Sequence, residues 1–248
     1  KTPNAKLNGC VNRLNRLETT VARPFFLEVL RLWDENKITV DEVADVFLMI
    51  ENYLFRRTIC EIPTNALNKI FLMLHKDVMR YDGTDENYVS KLKYALLVKK
   101  ERARFPDDEE FAKAFSSRQV YLMTSKNKIY LLERLENFGT IEDRDVYRHF
   151  DDGAYSIEHI MPQHLTSAWI KEIGEDDCFT IHETWLHRIA NLTLTAYNSK
   201  YSNNTFEEKK KMKNGFLESG IRMNQWIAQK DGWTQSELEE RSEYLTKR

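Results

Sequence analysis

The sequence predicts a mainly α protein: a helical N-terminal region, then a small strand–strand–helix unit embedded in further helices. Only eight glycines and five prolines occur in 248 residues, about 5% against a usual share near 12%. Such scarcity of breakers excludes a sandwich, a barrel or a Gly-rich dinucleotide fold. Apolar residues make up 42% and aromatics 12% of the chain, too many for a disordered polymer and enough for a core. Apolar positions recur at helical spacing through the first 150 residues, and short strand-like stretches begin only after Asp151.

Residues 1–21 are polar and read as a segment ending in a loop, because Pro24 suits the first turn of a helix. Phe25, Phe26, Val29, Leu30, Leu32 and Trp33 give that helix a broad apolar face. Thr39 with Glu42 is a capping box, opening a helix through Val43, Val46, Phe47, Ile50 and Leu54. Pro63 opens a third helix carrying Leu67, Ile70, Phe71, Leu74 and Val78. After a turn at Tyr81–Thr84 come helices near 85–99, after the acidic run Asp107–Glu110, and near 127–137. Tyr155–Met161 is a short β-prone run ended by Pro162, which cannot donate to a ladder. Short helices near 166–173 and 180–189 follow, then Asn191–Ala196 alternates as a half-buried strand should. A charged helix near 203–214 and a second capping box, Thr234 with Glu237, complete the chain.

The 37 basic and 39 acidic residues leave a net charge of −2, which excludes a strongly basic nucleic-acid coat and leaves room for a local patch. Cys10, Cys60 and Cys178 are odd in number and far apart, as reduced cytosolic thiols are. No apolar run approaches the roughly 18 residues of a membrane span. The chain starts at Lys1 and reads as the C-terminal piece of a longer cytoplasmic protein.

Of the six histidines, His75 reads as a helix-boundary residue and His149 receives no role. His182 and His187, five apart, do not share a helix face and lack partner ligands for zinc. His159 stands out because it ends the first strand, just before Ile160-Met161-Pro162-Gln163. A second strand follows at Asn191, then Asn198, Asn203 and a helix with Lys209, Lys210 and Lys211. A hairpin packed on a helix, with an imidazole at one strand end and amides opening the helix, suits a divalent cation and a phosphate. An imidazole with a pKa of about 6.5 suits a general base at neutral pH, and oxygen ligands suit Mg²⁺ or Mn²⁺.

These residues carry a resemblance. Glu158-His159-Ile160-Met161-Pro162-Gln163, Asn191-Leu192-Thr193-Leu194 and the series Asn198-Ser199, Ser202-Asn203, Phe206 and Lys209 resemble the C-terminal nuclease domain of the GmrSD family. That family comprises modification-dependent (type IV) restriction endonucleases of the HNH, or His-Me finger, superfamily. The same order is similar to the HNH domain of RNA-guided CRISPR nucleases. The resemblance divides the chain into a helical linker or scaffold over 1–126 and an HNH-type nuclease domain over 127–248. It implies a ββα-metal unit and metal-dependent hydrolysis of DNA phosphodiesters by the effector domain of an anti-phage restriction protein. The implied DNA is modified or phage DNA, and a nucleotide-dependent recognition domain lies outside this chain.

By the same resemblance His159 is the general base, Asn191 braces its loop, and Glu158 and Asn198 are ligands of Mg²⁺ or Mn²⁺. Lys200, Asn203, Lys209 and Lys210 are candidates for phosphate contact. In a regular strand Glu158 and His159 point to opposite faces, so they share a site only if the strand end twists or bulges. The alternatives are an inactive nucleic-acid-binding or regulatory module, or an RNase of the same fold.

Overall fold

The structure, a computed structural model, describes Thr2 and residues 4–248. It divides into two compact units, one ending at Ala114 and the other spanning Phe115–Arg248.

The first unit is helical: α1 (Ala5–Arg16), α2 (Arg23–Asp34), α3 (Val40–Ile59), α4 (Leu67–Met79), α5 (Tyr88–Leu97) and α6 (Asp108–Ser117), within which the boundary falls. The segment 1–21 ends in a loop before α2, as expected, but carries a helix ahead of it: Asn4 accepts from the Leu7 backbone N–H and starts α1. Lys1 and Pro3, at the start of that segment, lie outside the described residues. Leu7, Cys10 and Leu14, spaced three and four apart, form a stripe that is buried, narrow enough for the segment to look polar overall. The Thr39–Glu42 capping box is formed as expected. Phe26 stacks on Phe47 with centroids 4.0 Å apart. Arg13 forms two hydrogen bonds to Glu51, at 2.5 and 2.9 Å, tying α1 to α3.

The second unit contains α7 (Ser125–Glu136), α8 (Val146–Asp151), β1 (Ser156–His159), α9 (Ser167–Ile173), α10 (Cys178–Trp185), β2 (Leu192–Thr195), α11 (Asn198–Tyr201), α12 (Phe206–Lys211), α13 (Arg222–Ala228) and α14 (Gln235–Thr246). Mainly α is therefore the observed class. The two strands pair antiparallel, with Ser156 opposite Thr195 and His159 opposite Leu192. Ile160, Met161, Trp169, Trp185, Phe206, Ile227 and Trp233 belong to the core around this ribbon.

Three helices of this unit differ from expectation. The charged helix is six residues rather than twelve. The chain leaves helical conformation at Met212, and Gly215 packs onto the helix end; a Cβ there would sit 2.5 Å from the Lys209 carbonyl oxygen and 2.7 Å from that of Met212. α8 and α13 carry no clear sequence signal. The N-terminus of α13 is capped from α7: Glu136 accepts from the backbone N–H groups of Arg222 (2.9 Å) and Met223 (3.0 Å). No helix among the described residues is long and apolar enough to cross a membrane.

Candidate functional site

β1 delivers His159 to the end of the ribbon, and the chain then turns through Ile160, Met161 and Pro162. Asn191 holds that turn. Its side-chain oxygen accepts from the Met161 N–H (2.8 Å) and the Trp233 indole N–H (3.2 Å). Its amide nitrogen donates to the carbonyls of Met161 (2.9 Å) and Leu186 (3.1 Å). Asn191 is fully buried, so a side chain with both a donor and an acceptor answers four backbone and ring groups without leaving one unpaired. Arg241 grips the carbonyls on either side of it, Ala190 (2.7 Å) and Leu192 (2.9 Å).

His159 is 5% exposed. Its Nε2 lies 3.3 Å from Nδ1 of His187. The Tyr121 ring meets His159 edge-on at 4.3 Å and lies nearly parallel to His187 at 5.4 Å. Tyr121 is anchored by its N–H to the His187 carbonyl (3.1 Å). Lys128 donates to the Tyr121 carbonyl (2.9 Å) and sits 4.6 Å from the centre of its ring. His182 donates from Nε2 to the Pro162 carbonyl (2.9 Å), closing the far side of the turn. Burial, then the basic neighbours His187, Lys209, His182 and Lys128, push the His159 imidazole down to about 3. It is therefore neutral at physiological pH, in surroundings whose charge favours an incoming anion. His187 is lowered too, first by burial and then by His182.

Glu158 does not join His159. It points to the other face, as strand alternation requires, and its Oε1 lies 2.6 Å from Nζ of Lys209. Burial pushes the Glu158 carboxyl up and the Lys209 ammonium down, while each partner's charge opposes that push. The expectation that Lys209 and Lys210 face phosphate is corrected, because both are buried. Lys209 is 0% exposed and inside the Glu158 contact, and Lys210 donates to the Lys230 carbonyl at 2.5 Å. Lys200, Asn203 and Asn198 are exposed. Asn198 begins α11 beyond the Thr195 end of β2, whereas His159 pairs at the Leu192 end. No hydrogen bond joins Asn198 to His159.

The donor set does not fit a preassembled Mg²⁺ or Mn²⁺ cradle. The one carboxylate in the motif is neutralised by Lys209, and no cluster of three or more His, Cys, Asp or Glu side chains suited to a metal occurs among the described residues.

His187, Tyr121 and Lys128 belong to the site and were not expected from the sequence. His187 had one local signal, its position four residues before Asn191, which the spacing argument on His182 obscured. Tyr121 and Lys128 lie more than thirty residues upstream of His159 and have no local signature.

No curated protein matches the chain. Residues 105–248 match the model of the family described as GmrSD restriction endonucleases, C-terminal domain. The match starts upstream of residue 127, as does the second compact unit at Phe115. Since the match takes in the hairpin, the histidine pair and the Asn191 brace over more than half the chain, the protein belongs to the GmrSD restriction endonuclease C-terminal domain family.

Proposed function

We propose that the second unit is a DNA endonuclease of the HNH, or His-Me finger, class, the effector of a modification-dependent, anti-phage restriction protein in the cytoplasm. A nucleotide-dependent recognition domain outside this chain would select the modified DNA. The observation that carries this reading is His159: a neutral imidazole at a strand end, braced by Asn191 and surrounded by basic groups. With Nε2 turned to His187, Nδ1 is the ring nitrogen left for water.

In the reaction, a water molecule between Nδ1 and the scissile phosphorus gives its proton to His159. The resulting hydroxide forms a bond to phosphorus as the bond to the 3′-oxygen breaks, and the leaving oxygen takes a proton from solvent. The phosphate's own negative charge favours the imidazolium that forms, offsetting the burial that depresses His159. Lys128 adds positive potential near His159, where the phosphorane charge would develop. Glu158 and Lys209 hold the strand that carries the base, and no step is assigned to a metal ion.

Plasmid nicking tests the reading. The wild-type chain should nick supercoiled DNA, and His159→Ala should abolish nicking while retaining the wild-type melting temperature within a few degrees. Nicking by the Ala variant at the wild-type rate would remove His159 as the base. Cleavage of RNA with DNA left intact would redirect the reading to an RNase.

A further inference from the structure

We infer that His187 is the positioning residue that selects the working tautomer of His159, by accepting the Nε2–H of His159 on its own Nδ1. This rests on the reading of His159 as the base. A neutral imidazole carries one proton, and a base acting through Nδ1 must carry it on Nε2. The atom facing Nε2 is Nδ1 of His187, at 3.3 Å. For that contact to be a hydrogen bond with His159 as donor, His187 must hold its own proton on Nε2.

The surroundings keep the pair in this arrangement. Tyr121 packs edge-on to His159 and parallel to His187, so one ring fixes the angle between the two imidazoles. The Tyr121 N–H to the His187 carbonyl fixes the backbone of the acceptor. Burial, and after it His182, lower the His187 imidazole, which disfavours a second proton on it and preserves its Nδ1 lone pair; Lys209, His182 and Lys128 act on His159 in the same direction. His187 is partly exposed, so its Nε2–H can be answered by solvent. The base is thereby oriented by a second imidazole rather than by a carboxylate. A carboxylate partner would stabilise the imidazolium and raise the basicity of His159; a neutral imidazole sets the tautomer and leaves His159 unprotonated until phosphate arrives.

The test is ring-nitrogen NMR of the full chain, with plasmid nicking measured in parallel for wild type, His159→Ala, His187→Ala and His187→Asn. Wild-type His159 should show a protonated Nε2 and a bare Nδ1. In His187→Ala the His159 tautomers should mix, and kcat should fall about 10- to 100-fold with KM unchanged, the usual loss when a partner that orients a histidine is removed. His187→Asn puts an amide oxygen where Nδ1 stood and should recover the tautomer and most of the rate. A wild-type His159 protonated on Nδ1, or a tautomer unchanged in His187→Ala, overturns the inference. If wild type nicks DNA, His159→Ala does not, and His187→Ala matches wild type in spectrum and rate, only the role of His187 falls. If His159→Ala nicks like wild type, the base reading falls, and the ring spectra alone decide whether His187 sets the tautomer.

Discussion

Lys209, 51 residues beyond Glu158, places its ammonium 2.6 Å from the Glu158 carboxylate and 2.9 and 3.0 Å from the carbonyls of His159 and Ile160. Three donors thus meet three acceptors, and α12 is pinned to the strand end that carries His159. The contact also holds the Glu158 carboxylate on the face of the strand opposite the His159 ring.

Removing one partner of a buried pair strands the other charge, so Lys209→Met should destabilise the chain by about 3–5 kcal/mol. Glu158→Leu combined with Lys209→Met should recover much of that loss, because two apolar side chains leave no orphan charge. Urea denaturation of the singles and the double measures it. A double variant as unstable as the single would show that the carbonyl contacts, not the ion pair, carry the stability.

Asn191→Ala leaves the Met161 N–H and carbonyl and the Leu186 carbonyl without their side-chain partner, at about 1–3 kcal/mol for each buried group left unsatisfied. Asn191→Asp should be worse, since it buries a charge and aims an oxygen at two carbonyls. Melting temperatures should rank wild type above Ala and Ala above Asp. Equal melting of Ala and wild type would mean that Asn191 does not brace the turn.

Folded His159 stays neutral down to about pH 3, whereas the unfolded residue takes a proton near a pKa of about 6.5. Between those values the unfolded state binds the additional proton, so stability falls as the pH drops, by at most ~1.4 kcal/mol per pH unit from this residue. His159→Gln should therefore lose less stability than wild type between pH 6.5 and 4. Parallel curves of melting temperature against pH would contradict it.

Lys200, Lys211 and Lys213 remain exposed on the segment after β2. If they touch DNA, their joint replacement by Ala should lower the slope of log affinity against log salt by up to about 0.9 per lost phosphate contact. Lys128→Ala should lower it as well, through the basic surroundings of His159. Filter binding across a salt series measures both, and a slope unchanged in the triple variant would exclude that segment as the DNA track.

Calorimetry of the chain without DNA should show no saturable Mg²⁺ binding, because the Glu158 carboxylate is already matched by Lys209. Tight binding that survives both Glu158→Ala and Asn198→Ala would locate an ion site elsewhere in the chain.

What the sequence alone determined is what depends on near neighbours. The Thr39–Glu42 and Thr234–Glu237 capping boxes sit three residues apart and form as read. The apolar spacing of α2 to α5, the strands around Glu158–His159 and Leu192–Thr195, and the family motif are local in the same sense. The alternation that sends Glu158 and His159 to opposite faces was legible too. The tertiary structure decided what joins distant segments: Lys209 to Glu158, Glu136 to the start of α13, and His187 to His159, 28 residues apart with two helices between them. It also decided that Lys209 and Lys210, indistinguishable in sequence from the exposed Lys211, turn inward. A helix shows that charges recur along it but not which face its neighbours will cover. Only the packed ribbon settles which lysine meets a carboxylate and which is left to solvent.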